Sequence, residues 1–393
     1  MSNCKFVLTK GKNKGKLCNK INCTKHKNSL DIDISSSKTD YVERYLYLYN
    51  NLSIQYKQRI LKNVDNLTVL EKNSTEFYKN KNFLDNFFSL PLDNYFKITK
   101  DSITKLDCEF DKYVYKMSDV KNELLNYLCK KCTNPNSTKN ILGLYGSPGL
   151  GKTKIIQSLS KILNYPMYTI PLGGIKDAAY LLGHNYTYVE SSYGEIVRGL
   201  IKTQIMNPII YFDELDKVSE SNNGKEIYSL LTFLTDPSQN THFRDHYFGT
   251  NDITFDLSKA FFIFTFNDIT KIDKVLLDRI NLINVSEYSS ADKVVILKDY
   301  ILPQILSNVN KDLINLHFHR ECFNYLIESN PKLTLREYVF KLEKVVMEIN
   351  KLIFLEKKNF LDFFDIDIES FKRLYDKTNR KPTVDTSYLS IYL

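Results

Sequence analysis

The sequence predicts an α/β fold: a parallel sheet covered by helices on both faces, with a smaller all-α domain after it and a helical arm before it. Three observations predict this. Five short, β-rich apolar runs, "ILGLYG", "PMYTIPL", "PIIYFDE", "AFFIFTFND" and "LINVSE", are separated by helical stretches. Strands buried on both faces read as such near-continuous runs. The first run leads into a glycine-rich turn that opens the amphipathic stretch "TKIIQSLSKIL", and beyond Ser289 the spacing is purely helical to about Tyr375.

In chain order, residues 1–27 form a Lys-rich tag, 28–40 a polar linker and 41–110 a helical arm. Residues 111–288 form the α/β domain, 289–375 the helical domain and 376–393 a tail. Apolar residues recur at helical spacing in "YVERYLYLYNNLSIQYKQRILKNV" and "EFYKNKNFLDNFFSL", which Pro91 closes. The tag holds eight lysines and no acid, which accounts for the whole net charge of +8 and leaves the body formally neutral. A polyanion partner such as nucleic acid is therefore expected only at the tag. The longest apolar runs fall well short of the roughly 20 residues a membrane helix needs, so no membrane contact is expected. Seven cysteines with no apolar signal core point to a reducing compartment, with the cytoplasm as the expected location.

Gly146, Ser147, Pro148, Gly149, Leu150, Gly151, Lys152 and Thr153 fit the phosphate-loop pattern G-x-x-x-x-G-K-[ST] between a strand and a helix. Glycines let backbone N–H groups converge on phosphates, Lys152 reaches the β and γ groups, and Thr153 offers a hydroxyl to Mg²⁺. Asp213 and Glu214 end the strand in "PIIYFDELDK"; two adjacent acids there suit a cation and a water to be polarised. We assign Asp213 to Mg²⁺ and Glu214 to the attacking water. Asn267 ends "FIFTFND" and reads either as an amide orienting the same water or as a strand-ending turn residue. Arg279, just before the last strand, reads either as an arginine supplied across a subunit boundary to stabilise the transferring phosphoryl group or as a surface ion pair.

From about Asn82 to Phe371 the chain resembles the ATPase module of Lon proteases, a branch of the AAA+ family of phosphate-loop NTPases. The stretches that carry this are "NFLDNFFSLPLDNY", "EFDKYVYKMSDVKNELLNYL", "PLGGIKDAAYLLGHNYTYVESSYGEI" and "LLTFLTDPSQNTHFRDHYF". The resemblance implies ATP and Mg²⁺ as cofactors, Tyr115 at the nucleotide base, Asn267 as the first sensor and Arg279 as the arginine finger. It also implies Arg336, in "LTLREYVFKLEK", as second sensor on a helical lid. Tyr188 and Val189 would line a central pore and grip an extended polypeptide, an aromatic and a β-branched side chain offering apolar area without reading sequence. This chain departs from the family at Lys116, where Gly is customary, at Glu190, also for Gly, and in "SSYGE". No Gly-Pro-Ser-Ala-Gly stretch is present and 43 residues follow Asn350, so no peptidase site and no large N-terminal capture domain are expected.

The expected work is ATP hydrolysis in a homo-oligomeric ring, six being the expected number, that unfolds or remodels protein clients and hands them to a separate protease. A nucleic-acid motor or loader recruited through the tag is the alternative. In the tag, Cys4, Cys18, Cys23 and His26 suit tetrahedral Zn²⁺, and "GKNKGKLC" resembles short Cys/His tags of large DNA viruses; a disordered Lys-rich arm is the other reading. "CKKC" at 129–132 reads as the packing end of an amphipathic helix.

Overall fold

The computed structural model describes residues 38–48, 54–71, 74–92, 94–137, 141–185, 191–219, 221–249, 252–310, 313, 315–355 and 365–379. Two compact units divide after Leu92.

The first unit contains helices α1 (Lys38–Leu48), α2 (Ile54–Val69) and α3 (Thr75–Phe88). Tyr41, Ile60, Val64, Phe83, Leu84 and Phe87 are its core. Asp85 ties α3 to α1, accepting from the Tyr41 hydroxyl at 2.9 Å and pairing with Arg44 at 3.5 Å. Ser74 caps α3 by accepting from Phe77 N.

In the second unit follow α4 (Lys100–Tyr113), α5 (Ser118–Thr133), β1 (Ile141–Tyr145), α6 (Lys152–Leu163), β2 (Met167–Pro171), α7 (Ala179–Leu182) and α8 (Glu195–Thr203). Then come β3 (Ile209–Asp213), α9 (Asn222–Thr235), α10 (His246–Gly249), β4 (Phe261–Phe266), α11 (Lys274–Leu277) and β5 (Asn281–Asn284). All five strands pair in parallel in the order β2-β3-β4-β1-β5. The expected strands are therefore the observed ones. The C-terminal ends of β1, β3 and β4 lie side by side, with Tyr145 opposite Phe266 and Phe212 opposite Phe264. Open α/β sheets bind ligands outside such strand ends.

The arm expected over 41–110 is shorter than that. Helix α4 belongs to the α/β unit, because Leu106 and Phe110 are buried in one core with Leu144, Ile155 and Leu159. Its start is set by a capping box in which Thr99 and Ser102 bond reciprocally.

The lid contains α12 (Ser290–Val295), a π-helical segment over Ile296–Ile301, α13 (Leu302–Val309), β6 (His317–Phe318), α14 (Arg320–Glu328), α15 (Leu335–Leu355), β7 (Asp365–Ile366) and α16 (Ile368–Asn379). Its own core is built on Phe323, Leu326, Tyr338, Leu342, Val345 and Phe371. The expectation of an all-α lid needs one correction. Two-residue strands β6 and β7 pair in parallel, too short to leave an alternating apolar signature. Among the described residues no helix is long and apolar enough to cross a membrane.

Gly183 and Gly194 bring two backbones together at the stem of one loop. His184 N donates to Ser192 O at 2.9 Å, and a Cβ on Gly194 would collide with the carbonyl of Leu181. Residues 186–190, including Tyr188 and Val189, lie outside the described residues. Asp245, fully buried, holds this stem: its carboxylate accepts from Gly194 N at 2.7 Å, Tyr247 N at 2.9 Å and Phe248 N at 3.3 Å. His246 Nδ1 lies 3.2 Å from Gly183 O.

Burial pushes the Asp245 carboxyl up to about 7, against the pull of those three N–H groups. Unfolded, the same carboxyl ionises near pH 4. The folded chain thus holds an extra proton between these values, and the associated stability is full below about pH 4 and lost as pH rises through 7. Thermal melts from pH 5 to 8 should show wild type falling relative to Asp245→Asn, by roughly 2–4 °C for each kcal/mol lost. Parallel pH profiles of the two proteins would contradict this.

Candidate nucleotide site

The phosphate loop runs from the end of β1 to the start of α6. Gly146 can be nothing else: φ is +150° and a Cβ would lie 2.5 Å from Val285 O on the neighbouring strand path. Gly151, at φ +85°, caps α6, and a Cβ there would meet nothing within 4 Å among the described residues.

Lys152 is the centre of the site. Its ammonium donates to Gly146 O at 2.6 Å, Ser147 O at 3.0 Å and Asn267 Oδ1 at 2.8 Å. All three acceptors are neutral, although the residue is buried. Burial pushes its pKa down, while the fields of Asp216 and Asp213 push it up. A buried cation lacking a close anion is costly, and the phosphates of a nucleotide are anions a phosphate loop is built to hold.

Thr153 and Asp213, the residues expected at Mg²⁺, are joined through a chain of hydroxyls. Thr153 Oγ1 lies 3.1 Å from the Tyr211 hydroxyl, which lies 3.0 Å from Thr265 Oγ1, which donates to Asp213 Oδ1 at 2.6 Å. A threonine hydroxyl and a carboxylate at a phosphate loop are hard oxygen donors of the kind Mg²⁺ takes alongside phosphate oxygens. The residues present therefore fit that ion.

Glu214 follows Asp213 in a left-handed conformation, φ 58° and ψ 47°, which is strained for a residue with a side chain. Its carboxylate lies against Gly173, where a Cβ would collide with Oε2. Asp216 is buried nearby, and its Oδ1 has no hydrogen-bond partner among the described residues.

A second concavity adjoins the loop. Tyr113, Val114 and Tyr115 before the sheet, Leu150, Gly151 and Lys154 on the loop and α6, and Tyr288, Ile296, Tyr300, Ile301 and Leu335 of the hinge and lid line it. Its apolar, aromatic lining is of a kind that suits a nucleobase, and Tyr115 is one of the lining residues. Lys116 stands at φ 55°, in the left-handed region, and its ammonium pairs with Asp292 of the lid at 3.0 Å. The Tyr300 hydroxyl adds a bond to Asp111 O at 2.8 Å.

The two remaining arginines are placed differently. Arg336 is exposed on the first turn of α15, its backbone N 3.7 Å from the Cβ position of Gly149. Arg279 does not join the Lys152 cluster; it pairs with Asp236 at 2.9 Å. Asp236 is held below the usual carboxylate range by the Ser238 hydroxyl and then by Arg279. Cys4, Cys18, Cys23 and His26 lie outside the described residues. Among the described residues no three His, Cys, Asp or Glu are grouped to hold a metal ion.

Motif reading missed Tyr211, Thr265, Tyr288, Tyr300 and Asp292. A signal existed for two of them. A tyrosine in "IIYF" and a threonine in "FIFTF" place hydroxyls in fully buried strands, where each must find a partner.

Residues 142–288 match the family described as ATPase family associated with various cellular activities (AAA). The chain is 37% identical over 274 residues to Lon protease of Clostridioides difficile, covering 69% of this chain and 34% of that one. It is 35% identical over 265 residues to the Lon protease homolog of Acanthamoeba polyphaga mimivirus, covering 65% and 26%. To the mitochondrial Lon protease homolog of Homo sapiens it is 31% identical over 321 residues, covering 79% and 33%. The chain thus spans about a quarter to a third of the length of these relatives. With its parallel sheet, its phosphate loop and these matches, the chain belongs to the AAA+ family as a Lon-like module.

Proposed function

We propose that this chain binds ATP with Mg²⁺ and hydrolyses it within a homo-oligomeric ring, six subunits being expected, to unfold, translocate or remodel protein clients. The observation that carries the proposal is the buried Lys152 ammonium held by neutral oxygens, together with the joined pair Thr153 and Asp213. Phosphate would supply the missing negative charge, and the ion between Thr153 and Asp213 would draw charge from the transferring group. Asn267, already bonded to Lys152, would orient water at the γ-phosphate; Glu214 would take its proton.

Arg279 would act on the nucleotide of an adjoining subunit. To do so it would have to leave the ion pair it makes with Asp236 within one chain, and the family resemblance is what supports this reading. Arg336 would reach the phosphates from the lid. Tyr188 and Val189 would grip the client, on the loop whose stem Asp245 fixes. Zn²⁺ held by Cys4, Cys18, Cys23 and His26 and a cytoplasmic setting belong to the same proposal.

Two changes at Glu214 test the chemistry. Glu214→Gln should keep ATP binding while hydrolysis drops by about 10²-fold or more, measured by phosphate release and by binding of a fluorescent nucleotide. Gly173→Ala should do the same more weakly, since its Cβ displaces the Glu214 carboxylate rather than removing it. Wild-type turnover in folded Glu214→Gln protein would overturn the assignment.

The ring is tested separately. Arg279→Ala should reduce hydrolysis by about 10³-fold with nucleotide affinity nearly unchanged. Mixing it with Glu214→Gln subunits should restore part of the activity, because interfaces then arise that pair an intact Glu214 with a neighbour's Arg279. A chain that stays monomeric with ATP bound, or mixtures with no gain, would end the shared-site reading.

A further inference from the structure

We propose that Tyr211 is a positioning residue of the cation site: its phenol sets the hydroxyl of Thr153 and the carboxylate of Asp213 so that each offers its free oxygen lone pairs to Mg²⁺. The proposal rests on the nucleotide-site reading above and extends it to a residue outside the phosphate-loop motif.

Donor counting gives the direction of every proton in the chain. A hydroxyl has one proton to donate. Thr265 Oγ1 donates its proton to Asp213 Oδ1 at 2.6 Å, so across its 3.0 Å contact with Tyr211 it can only accept. Tyr211 therefore donates to Thr265. With that proton committed, the phenol oxygen can only accept across its 3.1 Å contact with Thr153. Thr153 is thus the donor, and its lone pairs point away from the strand. The Asp213 carboxylate also acts on the phenol directly; a proton aimed at Asp213 instead of Thr265 leaves Thr153 the donor just the same.

The other end of the chain is fixed in the same sense. Asp213 Oδ1 accepts from both Thr265 and the backbone N–H of Glu214, at 3.0 Å. No hydrogen bond falls on Oδ2 among the described residues. One oxygen of the carboxylate is thereby anchored and the other left for the ion. Neither Tyr211 nor Thr265 has freedom to drift, since both are almost fully buried in the central strands β3 and β4. Partners that orient metal ligands without touching the metal typically change affinity by about 10- to 100-fold when removed.

The experiment uses Tyr211→Phe in the full chain, which keeps the ring and deletes the hydroxyl. Binding of a fluorescent ATP analogue is titrated in chelator and again over a Mg²⁺ series. Affinity in chelator should stay at the wild-type value, while the Mg²⁺ concentration giving half of the Mg²⁺-dependent gain rises by about tenfold. Thr265→Val should reproduce that rise, and Thr265→Ser, which restores the hydroxyl, should not; these two keep the test intact should Tyr211→Phe fold poorly. Unchanged Mg²⁺ dependence in the folded variants overturns the proposal, as does an equal loss with and without Mg²⁺, which would mark a packing effect. Should wild type bind no nucleotide in either condition, the nucleotide-site reading itself fails and takes this proposal with it.

Discussion

The site is organised around one buried positive charge. Lys152 sits at the first turn of α6 with its ammonium among Gly146 O, Ser147 O and Asn267 Oδ1. None of these carries charge, and burial alone pushes the amine toward neutrality. What opposes that push is the field of Asp213 and Asp216, which stand near the end of β3 without bonding to the amine. The ammonium is therefore held in place and left incompletely compensated, an arrangement that favours an anion. Asn267 is suited to its position because an amide fixes the amine without neutralising it. An aspartate there would complete a buried ion pair and remove the need for phosphate.

The aromatic concavity beside the phosphate loop is lined by both the α/β domain and the lid. Tyr113 and Tyr115 line it from one side, and Ile296, Tyr300 and Ile301 from the other. Those lid residues lie on a π-helical segment just before Pro303, which has no N–H to continue a regular ladder. A base seated here would touch both domains, so nucleotide binding and lid position would be linked. Lys116 adds a second link. Its left-handed backbone is a strained conformation for a lysine, and its ammonium reaches Asp292, which also closes the capping box of α12. Lys116 is exposed while Asp292 is buried, so water screens the pair from the lysine side and limits what it contributes.

Two further constraints lie away from Lys152. Arg279 is bound to Asp236, whose carboxylate is already fixed by Ser238 and by Gln239 Nε2 at 3.0 Å. Asp245 holds the loop stem between Gly183 and Gly194, where the backbones approach too closely for any side chain. Both acids come from the stretch "TDPSQNTHFRDHYF", so one segment after α9 supports the arginine and the loop together.

The sequence by itself determined the sheet and the phosphate loop. Buried parallel strands need continuous apolar runs and a phosphate cradle needs glycines at fixed spacing, and both constraints are local enough to be read along the chain. That is why Lys152, Thr153, Asp213 and Glu214 could be named from their motifs, whereas Asn267 had two readings until the family resemblance was added. Tertiary structure alone decided what depends on pairing between distant strands and helices. Helix α4 has the periodicity of an arm helix, and only packing against β1 and α6 assigned it to the α/β unit. The hydroxyl chain from Thr153 to Asp213 crosses three elements, and Tyr115 meets Tyr300 only because the lid folds back. Hydrogen bonds depend on distance and direction in space, and residues 50 to 190 positions apart carry no mark of either in their order along the chain.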